Sequence, residues 1–245
     1  MKPSPFRPAP TGPHRPARTG LFRPRQFEMP PSLVLVPYFS PGPFLATLLK
    51  RARRRQDFLH SSLLWLEDMA IISGFLGYPH LLTLLGLVAG LEEKEVYFLG
   101  SAGALAPRFR EPAAVQVAEI HASSVFTRFS RSRSLPLKQF AGRSFPAVRA
   151  VSVDVIQRET PAWLAAQRAR RVDIVEMELF PLRWFLGRPF HALVVLSDRV
   201  EANGIRPFAD REKFNREFLR AFQAITRYIH HEESHPDPQV LRRSR

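Results

Sequence analysis

The sequence predicts an α/β fold of three layers, in which a mixed central β-sheet carries helices on both faces. From Ser32 onward, strand-like apolar segments alternate with segments of helical spacing, a pattern typical of a sheet covered on both sides. Between Ala114 and Ile156 the strand-like segments follow one another with little helix, so the sheet is expected to be mixed. The 245 residues, 45% of them hydrophobic, are enough for one large domain.

The first half of the chain supplies three predicted strands and two predicted helices. The strand-like segments are SLVLVPYF, part of LLWLEDMAIISG, and the start of KEVYFLGSAGAL. Helical spacing is found in FLATLLKRARRRQDFLH and YPHLLTLLGLVAGL. We expect the strand at Glu95–Leu99 to end in a glycine turn.

The second half supplies four further strands and three further helices. The predicted strands are AVQVAEIH, AVRAVSVDVI, VDIVEME and HALVVLSD, and the first two helices are TPAWLAAQRARR and PLRWFLG. After a predicted loop, RVEANGIRP, the last helix spans Asp210 to His230. Its predicted buried face consists of Phe214, Phe218, Leu219, Phe222, Ile225 and Ile229. No stretch reaches the roughly 18 apolar residues of a membrane span, so we expect no membrane association.

Both ends of the chain are basic, and the formal net charge is +14. Residues 1–31 are dense in proline and arginine and are predicted to be a disordered tail, residues 32–231 the folded domain, and residues 232–245 a disordered basic tail. The sequence contains no recognisable nucleic-acid-binding module, so we interpret the charge runs as solvated surface. A nucleic-acid-associated protein remains an alternative.

The sequence also limits the chemistry available to the protein. There is no cysteine, which excludes disulfides, thiolate metal ligands and a cysteine nucleophile. The histidines at 60, 80 and 121 lack the spacing of metal ligands, so no metal is expected.

In open α/β sheets, ligands bind beyond the carboxyl ends of the strands. Three predicted strand ends, which we expect to point the same way, carry polar or glycine-rich chemistry. In GSAGAL, Gly100 lets the backbone approach a ligand closely, and Ser101 offers a hydroxyl beside exposed amides that could hold an anion or a water; the alternative is a tight turn. HALVVLSD ends in Ser197 and Asp198, and this aspartate is either a cap or turn former or a general acid.

The third segment, VEMELF, places two carboxylates beside a buried strand. Side chains alternate along a strand, so Glu176 and Glu178 share one face and Met177 takes the other. Two neighbouring buried carboxylates repel each other, and a ligand's hydroxyls, a cation or a basic residue can compensate for that repulsion. Capping of the next helix, whose start is marked by Pro181, explains one carboxylate better than two.

In this order and spacing, the three segments resemble the nucleoside phosphorylase and nucleosidase superfamily, above all the methylthioadenosine/S-adenosylhomocysteine nucleosidases. GSAGAL is close to the nucleosidase form GSAGGL, and VEME and SD match outright. ISGFLG, which contains Gly74, is similar to the family's SGIG turn with one residue inserted. The similarity covers roughly Ser32 to Ile229.

The resemblance implies a role for each residue. Glu178 would accept hydrogen bonds from the ribose hydroxyls, Met177 would pack on the sugar, and Asp198, supported by Ser197, would protonate N7 of the departing base. Gly74, Gly100 and Ser101 would lie near the attacking water or phosphate. Glu176 would have a structural role behind the residues that contact the substrate, and Ile156 or Val155 would contact the base. The resemblance further implies a nucleoside substrate, a homo-oligomer, a cytoplasmic location and no cofactor, with inorganic phosphate as co-substrate in a phosphorylase.

Two departures from the family pattern bear on the reaction. The nucleosidases carry a glutamate just after the first strand, where this chain has VPYFSPGPF, and hexameric phosphorylases carry an arginine where this chain has Phe98. The leading hypothesis is hydrolysis of the N-glycosidic bond of a purine nucleoside or related metabolite. The alternatives are phosphorolysis, with Arg108, Arg110 or an arginine of a neighbouring subunit as the substitute cation, and a catalytically weakened nucleoside-binding protein.

Overall fold

The structure, a computed structural model, describes residues 27–37, 42–58, 61–75, 77–122, 134–140, 144–154 and 160–234. The strands are β1 (Ser32–Pro37), β2 (Arg54–Phe58), β3 (Ser61–Trp65), β4 (Met69–Phe75), β5 (Glu95–Ala104), β6 (Ala114–Ala122), β7 (Ser134–Pro136), β8 (Ala147–Ser152), β9 (Ile174–Glu176), β10 (His191–Glu201) and β11 (Gly204–Pro207). The helices are α1 (Gly42–Arg51), α2 (Gly77–Leu85), α3 (Pro161–Ala169), α4 (Leu179–Leu186) and α5 (Arg211–Ser234).

The strands form one mixed sheet, as the sequence predicted. Its order is β11-β10-β6-β8-β9-β5-β1-β4-β3-β2, with β7 added to β6. Strands β4, β1, β5 and β10 are parallel, whereas β6 runs antiparallel to β10 and β9 runs antiparallel to β5. Because β5 also pairs with β10, the five strands β5, β10, β6, β8 and β9 close into a ring.

Helices cover both faces of this sheet, which confirms the predicted three layers. Strand β1 shows why: Leu33 and Leu35 pack into one apolar cluster with residues of α2 and α4, while Val34 and Val36 pack into a second with residues of α1 and α5. A strand buried on both faces is a continuous apolar run, which is the pattern in its sequence.

Four local predictions differ from the structure. The long first helix ends at Arg51, and the arginine-rich remainder continues as β2 at the sheet edge, paired with β3. The predicted glycine turn after Leu99 is absent, because β5 continues to Ala104 with pairing partners on both sides. The predicted loop after Asp198 contains the β10–β11 hairpin. In α5, Leu219 is 45% exposed, and Ala221 takes a place in the buried face.

The last residues of the predicted tail pack against the domain. Phe27 and Met29 are buried, the Phe27 N–H donates to the Leu87 carbonyl at 2.7 Å, and Trp65 Nε1 donates to the Glu28 carbonyl at 3.0 Å. Lys94 Nζ donates to the Met29 carbonyl at 2.7 Å. Residues 27–31 are thus part of the folded unit, and residues 1–26 lie outside the described part of the chain. At the other end α5 extends to Ser234, past the predicted domain boundary at residue 231. None of the described helices is long and apolar enough to cross a membrane.

Candidate active site

Three of the predicted site segments meet around Gly103 in β5. Gly103 pairs with Val175 of β9 on one side and with Asp198 of β10 on the other. A Cβ atom placed on Gly103 would lie 2.8 Å from Asp198 Oδ1 and 3.1 Å from Val175 Cγ1. The missing side chain of Gly103 therefore makes room for the Asp198 carboxyl group.

The way these segments converge differs from the prediction. We expected strand ends that point the same way, but β9 enters at the far end of β5 and runs back along it. Glu176 and the turn that follows it therefore return toward Ala102 and Ser101. The two glutamates therefore come near Gly103 because β9 runs antiparallel to β5. They do not come near it because the carboxyl ends of parallel strands meet at one edge of the sheet.

Glu176 organises the turn between β9 and α4. Its side chain is 4% exposed, and its Oε2 accepts hydrogen bonds from the backbone N–H groups of Glu178 and Leu179, both at 2.7 Å. Ser152 Oγ, at the end of β8, donates to Glu176 Oε1 and accepts from the Phe180 N–H at 2.8 Å. Burial, with a further contribution from the nearby Glu178, raises the pKa of Glu176 to about 8, against the lowering effect of its three donors. Glu176 thus holds the start of α4 from inside the protein.

Glu178 connects this turn to the start of α2. It occupies the cap position of α4 without capping that helix, and its Oε1 instead accepts from the Gly77 N–H at 3.1 Å. Gly74 (φ 80°), near the end of β4, and Gly77 (φ 69°), the first residue of α2, both have left-handed backbones, which glycine adopts readily. Burial raises the pKa of Glu178 to about 7, partly offset by hydrogen bonds from the Gly77 and Met177 amides. The carboxyl group therefore titrates near neutral pH.

A register shift in β10 sets the direction of Asp198. The pairing with β5 shifts between Leu196 and Asp198, so Ser197 is the extra residue of a bulge, a device that re-aims side chains. Ser197 Oγ donates to Asp198 Oδ2 at 2.6 Å and lies 3.4 Å from the Ala102 carbonyl oxygen. Burial raises the pKa of Asp198, and the bond from Ser197 acts in the opposite direction. A half-buried carboxyl group with a raised pKa is suited to donate a proton.

Gly100 has a packing partner of its own. A Cβ atom at Gly100 would lie 2.5 Å from Cε1 of Phe98 and 3.4 Å from Cγ of Pro37, so the Phe98 ring fills the space above this glycine. Phe98 is 1% exposed and belongs to the sheet cluster that contacts α2 and α4. Ser101, the next residue, is half-buried.

Of the three remaining predicted site residues, one lies in the described part of the chain and two lie outside it. Met177 is half-buried and packs on the cluster that contains Val175 and Val200. Val155 and Ile156, the predicted base contacts, lie outside the described residues.

Two residues of the site were not predicted from the sequence. Gly103 was quoted only as part of the glycine turn, and Ser152 was not singled out. The available signal for Ser152 was a polar residue in phase with the buried face of an otherwise apolar strand.

The site is acidic. None of the ion pairs among the described side chains involves Glu176, Glu178 or Asp198. Arg108, a candidate phosphate ligand, instead pairs with Asp173 at 2.9 Å. In the described part of the chain, no group of three or more His, Asp or Glu residues could hold a metal ion.

No family model matches the sequence, and no curated protein sequence matches it. Solved structures do match its fold. Campylobacter jejuni 5′-methylthioadenosine/S-adenosylhomocysteine nucleosidase is 13% identical, with a TM-score of 0.60 over 80% of this chain and 97% of that one. Toxoplasma gondii purine nucleoside phosphorylase, solved with immucillin-H, is 13% identical, with a TM-score of 0.62 over 85% and 96%. Schistosoma mansoni uridine phosphorylase, solved with thymidine, is 14% identical, with a TM-score of 0.57 over 82% and 87%. The chain has the fold that these nucleosidases and phosphorylases share.

Proposed function

We propose that the protein cleaves the N-glycosidic bond of a purine nucleoside or a related metabolite, with water as the acceptor. The observation that carries this proposal is the arrangement around Gly103, where β5 pairs on one side with Asp198, a half-buried carboxyl group with a raised pKa, and on the other side with the strand that leads into Glu176 and Glu178. The shared fold with nucleosidases and phosphorylases supports the same reaction class.

In the proposed reaction the bond between the sugar C1′ and the base nitrogen breaks, and its electron pair stays with the base. Asp198, in its acid form, gives a proton to N7 of the base, which makes the base a better leaving group. Burial favours this acid form because it raises the pKa of Asp198. Water then adds to C1′ and releases a proton to solvent, from which Asp198 recovers its acid form, and the products are a free base and a free sugar.

The glutamates serve the sugar side of the site. Positive charge develops on the sugar as the bond breaks, and carboxylates stabilise such oxocarbenium-like states in related chemistry. Glu178 accepts hydrogen bonds from the ribose hydroxyls, for which it exchanges its contact with the Gly77 amide, and Met177 packs on the ring. Glu176 keeps its three hydrogen bonds and holds Glu178 in place. Gly74, Gly100 and Ser101 border the position of the attacking water. The predicted base contact, Ile156 or Val155, lies outside the described residues.

Two observations favour water over phosphate. A phosphate dianion requires cations or several donors to hold it, and none of the described ion pairs brings an arginine or lysine to Glu176, Glu178 or Asp198. The Phe98 ring also covers Gly100, which leaves an apolar surface where an anion would need donors. Phosphorolysis, with inorganic phosphate as co-substrate, remains the second candidate because the fold is shared with phosphorylases.

A nucleoside-binding protein of weakened activity is a third candidate. The contact between Glu178 and the Gly77 amide favours it, because this bond occupies the proposed sugar ligand. Such a protein would be stabilised thermally by a nucleoside yet release no base.

A homo-oligomer is also part of the proposal. Trp184 and Phe185 on α4 are 57% and 41% exposed, an apolar surface of the kind that subunit contacts cover. Light scattering on the purified protein distinguishes a dimer or larger assembly from a monomer.

The proton-donor assignment is tested by Asp198→Asn. We expect turnover to fall by about 10²–10⁴-fold, the usual contribution of a general acid, while nucleoside affinity changes little. Asp57→Asn on the exposed edge strand β2 is the matched control and should leave the rate unchanged. An unaltered rate in Asp198→Asn removes Asp198 from this role.

A further inference from the structure

A cavity lies away from the carboxyl groups, between α5 and the segments that flank β6 and β8. Its volume is about 490 Å³, within the range of about 300–1,000 Å³ typical of small-molecule sites. Gln116 lines it, and Gln116 pairs with Leu193, five residues before Asp198 on β10. At about 3.3 Å per strand residue, the cavity is about 16 Å along the strand from Asp198.

The floor of the cavity is aromatic. Phe140 and Tyr228 meet edge to face with ring centroids 5.2 Å apart. Behind them the buried His191 lies 4.7 Å from Phe140 and stacks on Tyr97 at 5.4 Å. This cluster is packed between the sheet and α5, so the two lining rings form a fixed apolar surface. A planar ring stacks favourably on such a surface.

A buried amide joins the two sides of the cavity wall. Gln116 is 7% exposed; its Nε2 donates to the Phe145 carbonyl at 3.0 Å, and its Oε1 accepts from the Phe140 N–H at 3.2 Å. The same side chain therefore fixes both lining phenylalanines.

The rim of the cavity is cationic. Arg220 and Arg227 lie seven residues apart on α5, which places both on one face about 10 Å apart. The Arg220 guanidinium lies 5.0 Å from the Phe145 ring centroid, donates to the Ser144 carbonyl at 3.0 Å and pairs with Glu217 at 3.3 Å. Arg227 donates to the Gln223 carbonyl at 3.3 Å, and no carboxylate among the described side chains pairs with it. The two guanidinium groups thus keep donors available for an anion.

We propose that this cavity binds a small organic anion that carries a planar ring. The ring lies on Phe140 and Tyr228, and a carboxylate or phosphate group lies between Arg220 and Arg227. The proposal is independent of the nucleoside reaction, because none of the described site carboxylates lines the cavity.

Isothermal titration calorimetry on the full chain tests this proposal with four probes: 2-naphthoate, 2-naphthyl phosphate, the uncharged 2-naphthylmethanol and inorganic phosphate. We expect at least one naphthyl anion to bind, and to bind about tenfold or more tightly than the uncharged ring or phosphate alone. The comparison of the two naphthyl anions identifies which anionic group the arginines prefer. Equal affinity for the charged and uncharged rings, or no binding of either naphthyl anion, overturns the proposal.

Two variants and a matched control locate the binding. Arg220→Gln with Arg227→Gln should weaken anion binding by about tenfold or more. Arg211→Gln with Arg216→Gln removes the same charge from exposed positions of α5 and should leave the affinity unchanged. Ala224→Trp fills the cavity without altering its charge and should abolish binding. Thermal unfolding confirms that each variant is folded. If the two double variants weaken binding equally, the anion is attracted by net charge alone and the assigned site is wrong.

Discussion

Replacing Gly103 by alanine tests the geometry on which the proposed site depends. The added methyl group would lie 2.8 Å from Asp198 Oδ1 and 3.1 Å from both Val175 Cγ1 and Val200 Cγ2. The Asp198 side chain can rotate away from the methyl group, but its carboxyl group then no longer points in the original direction. The two valines belong to a packed cluster and must shift by several tenths of an ångström. Overpacking of this kind costs about 1–3 kcal/mol, so Gly103→Ala should lower the free energy of unfolding by that amount.

Urea denaturation measures this change, and base release from a nucleoside measures the effect on Asp198. We expect a lower unfolding midpoint together with a reduced rate in Gly103→Ala. Gly86→Ala is the control: Gly86 is exposed, its added methyl group would have its nearest contact at 3.4 Å, and its stability should change by about 0.5 kcal/mol or less. If Gly103→Ala is as stable and as active as the original protein, Asp198 does not lie over Gly103 and the site is wrongly placed.

Three further predictions concern the pH dependence, the support of Glu176 and the start of the folded unit. The folded-state pKa of Glu178 is raised to about 7 from 4.5, so the folded protein retains a proton that the unfolded chain releases. The free energy of unfolding should therefore decline as the pH rises from 4.5 to 7. The urea midpoints at pH 5 and pH 8 should differ less in Glu178→Gln than in the original protein. Ser152→Ala removes a donor to Glu176 and the acceptor for the Phe180 amide, and we expect a loss of about 1–3 kcal/mol in urea unfolding. Phe27→Ala empties a buried site beside α2 and should cost about 3 kcal/mol in thermal unfolding; an unchanged midpoint would show that residues 27–31 are not part of the folded unit.

The fold class could be predicted because its signals are local. Strand β1 is a continuous apolar run. At the start of α3, a segment that the sequence predicts to be helical, Thr160 accepts a hydrogen bond from the Trp163 amide and so caps the helix. In α5, the residues at three- and four-residue steps are buried apart from Leu219, which is exposed, and Phe214, which is partly buried.

The details of the site depend on non-local pairing, which local patterns do not encode. Gly100 and Gly103 suggested a turn, yet β5 continues through both because partner strands supply its hydrogen bonds. The carboxylates of VEME were singled out by their chemistry, but the return of β9 along β5 is set by the register of the sheet. Ser152 supports Glu176 from 24 residues away in the sequence, a contact visible only once β8 and β9 are paired.

The most direct test of the proposed reaction is base release by the purified protein from a panel of purine nucleosides, followed by chromatography with and without inorganic phosphate. We expect a free purine base to appear without phosphate, and its rate of appearance not to rise when phosphate is added. Release only in the presence of phosphate would identify a phosphorylase, and no release under either condition would contradict the proposal that this protein cleaves nucleosides.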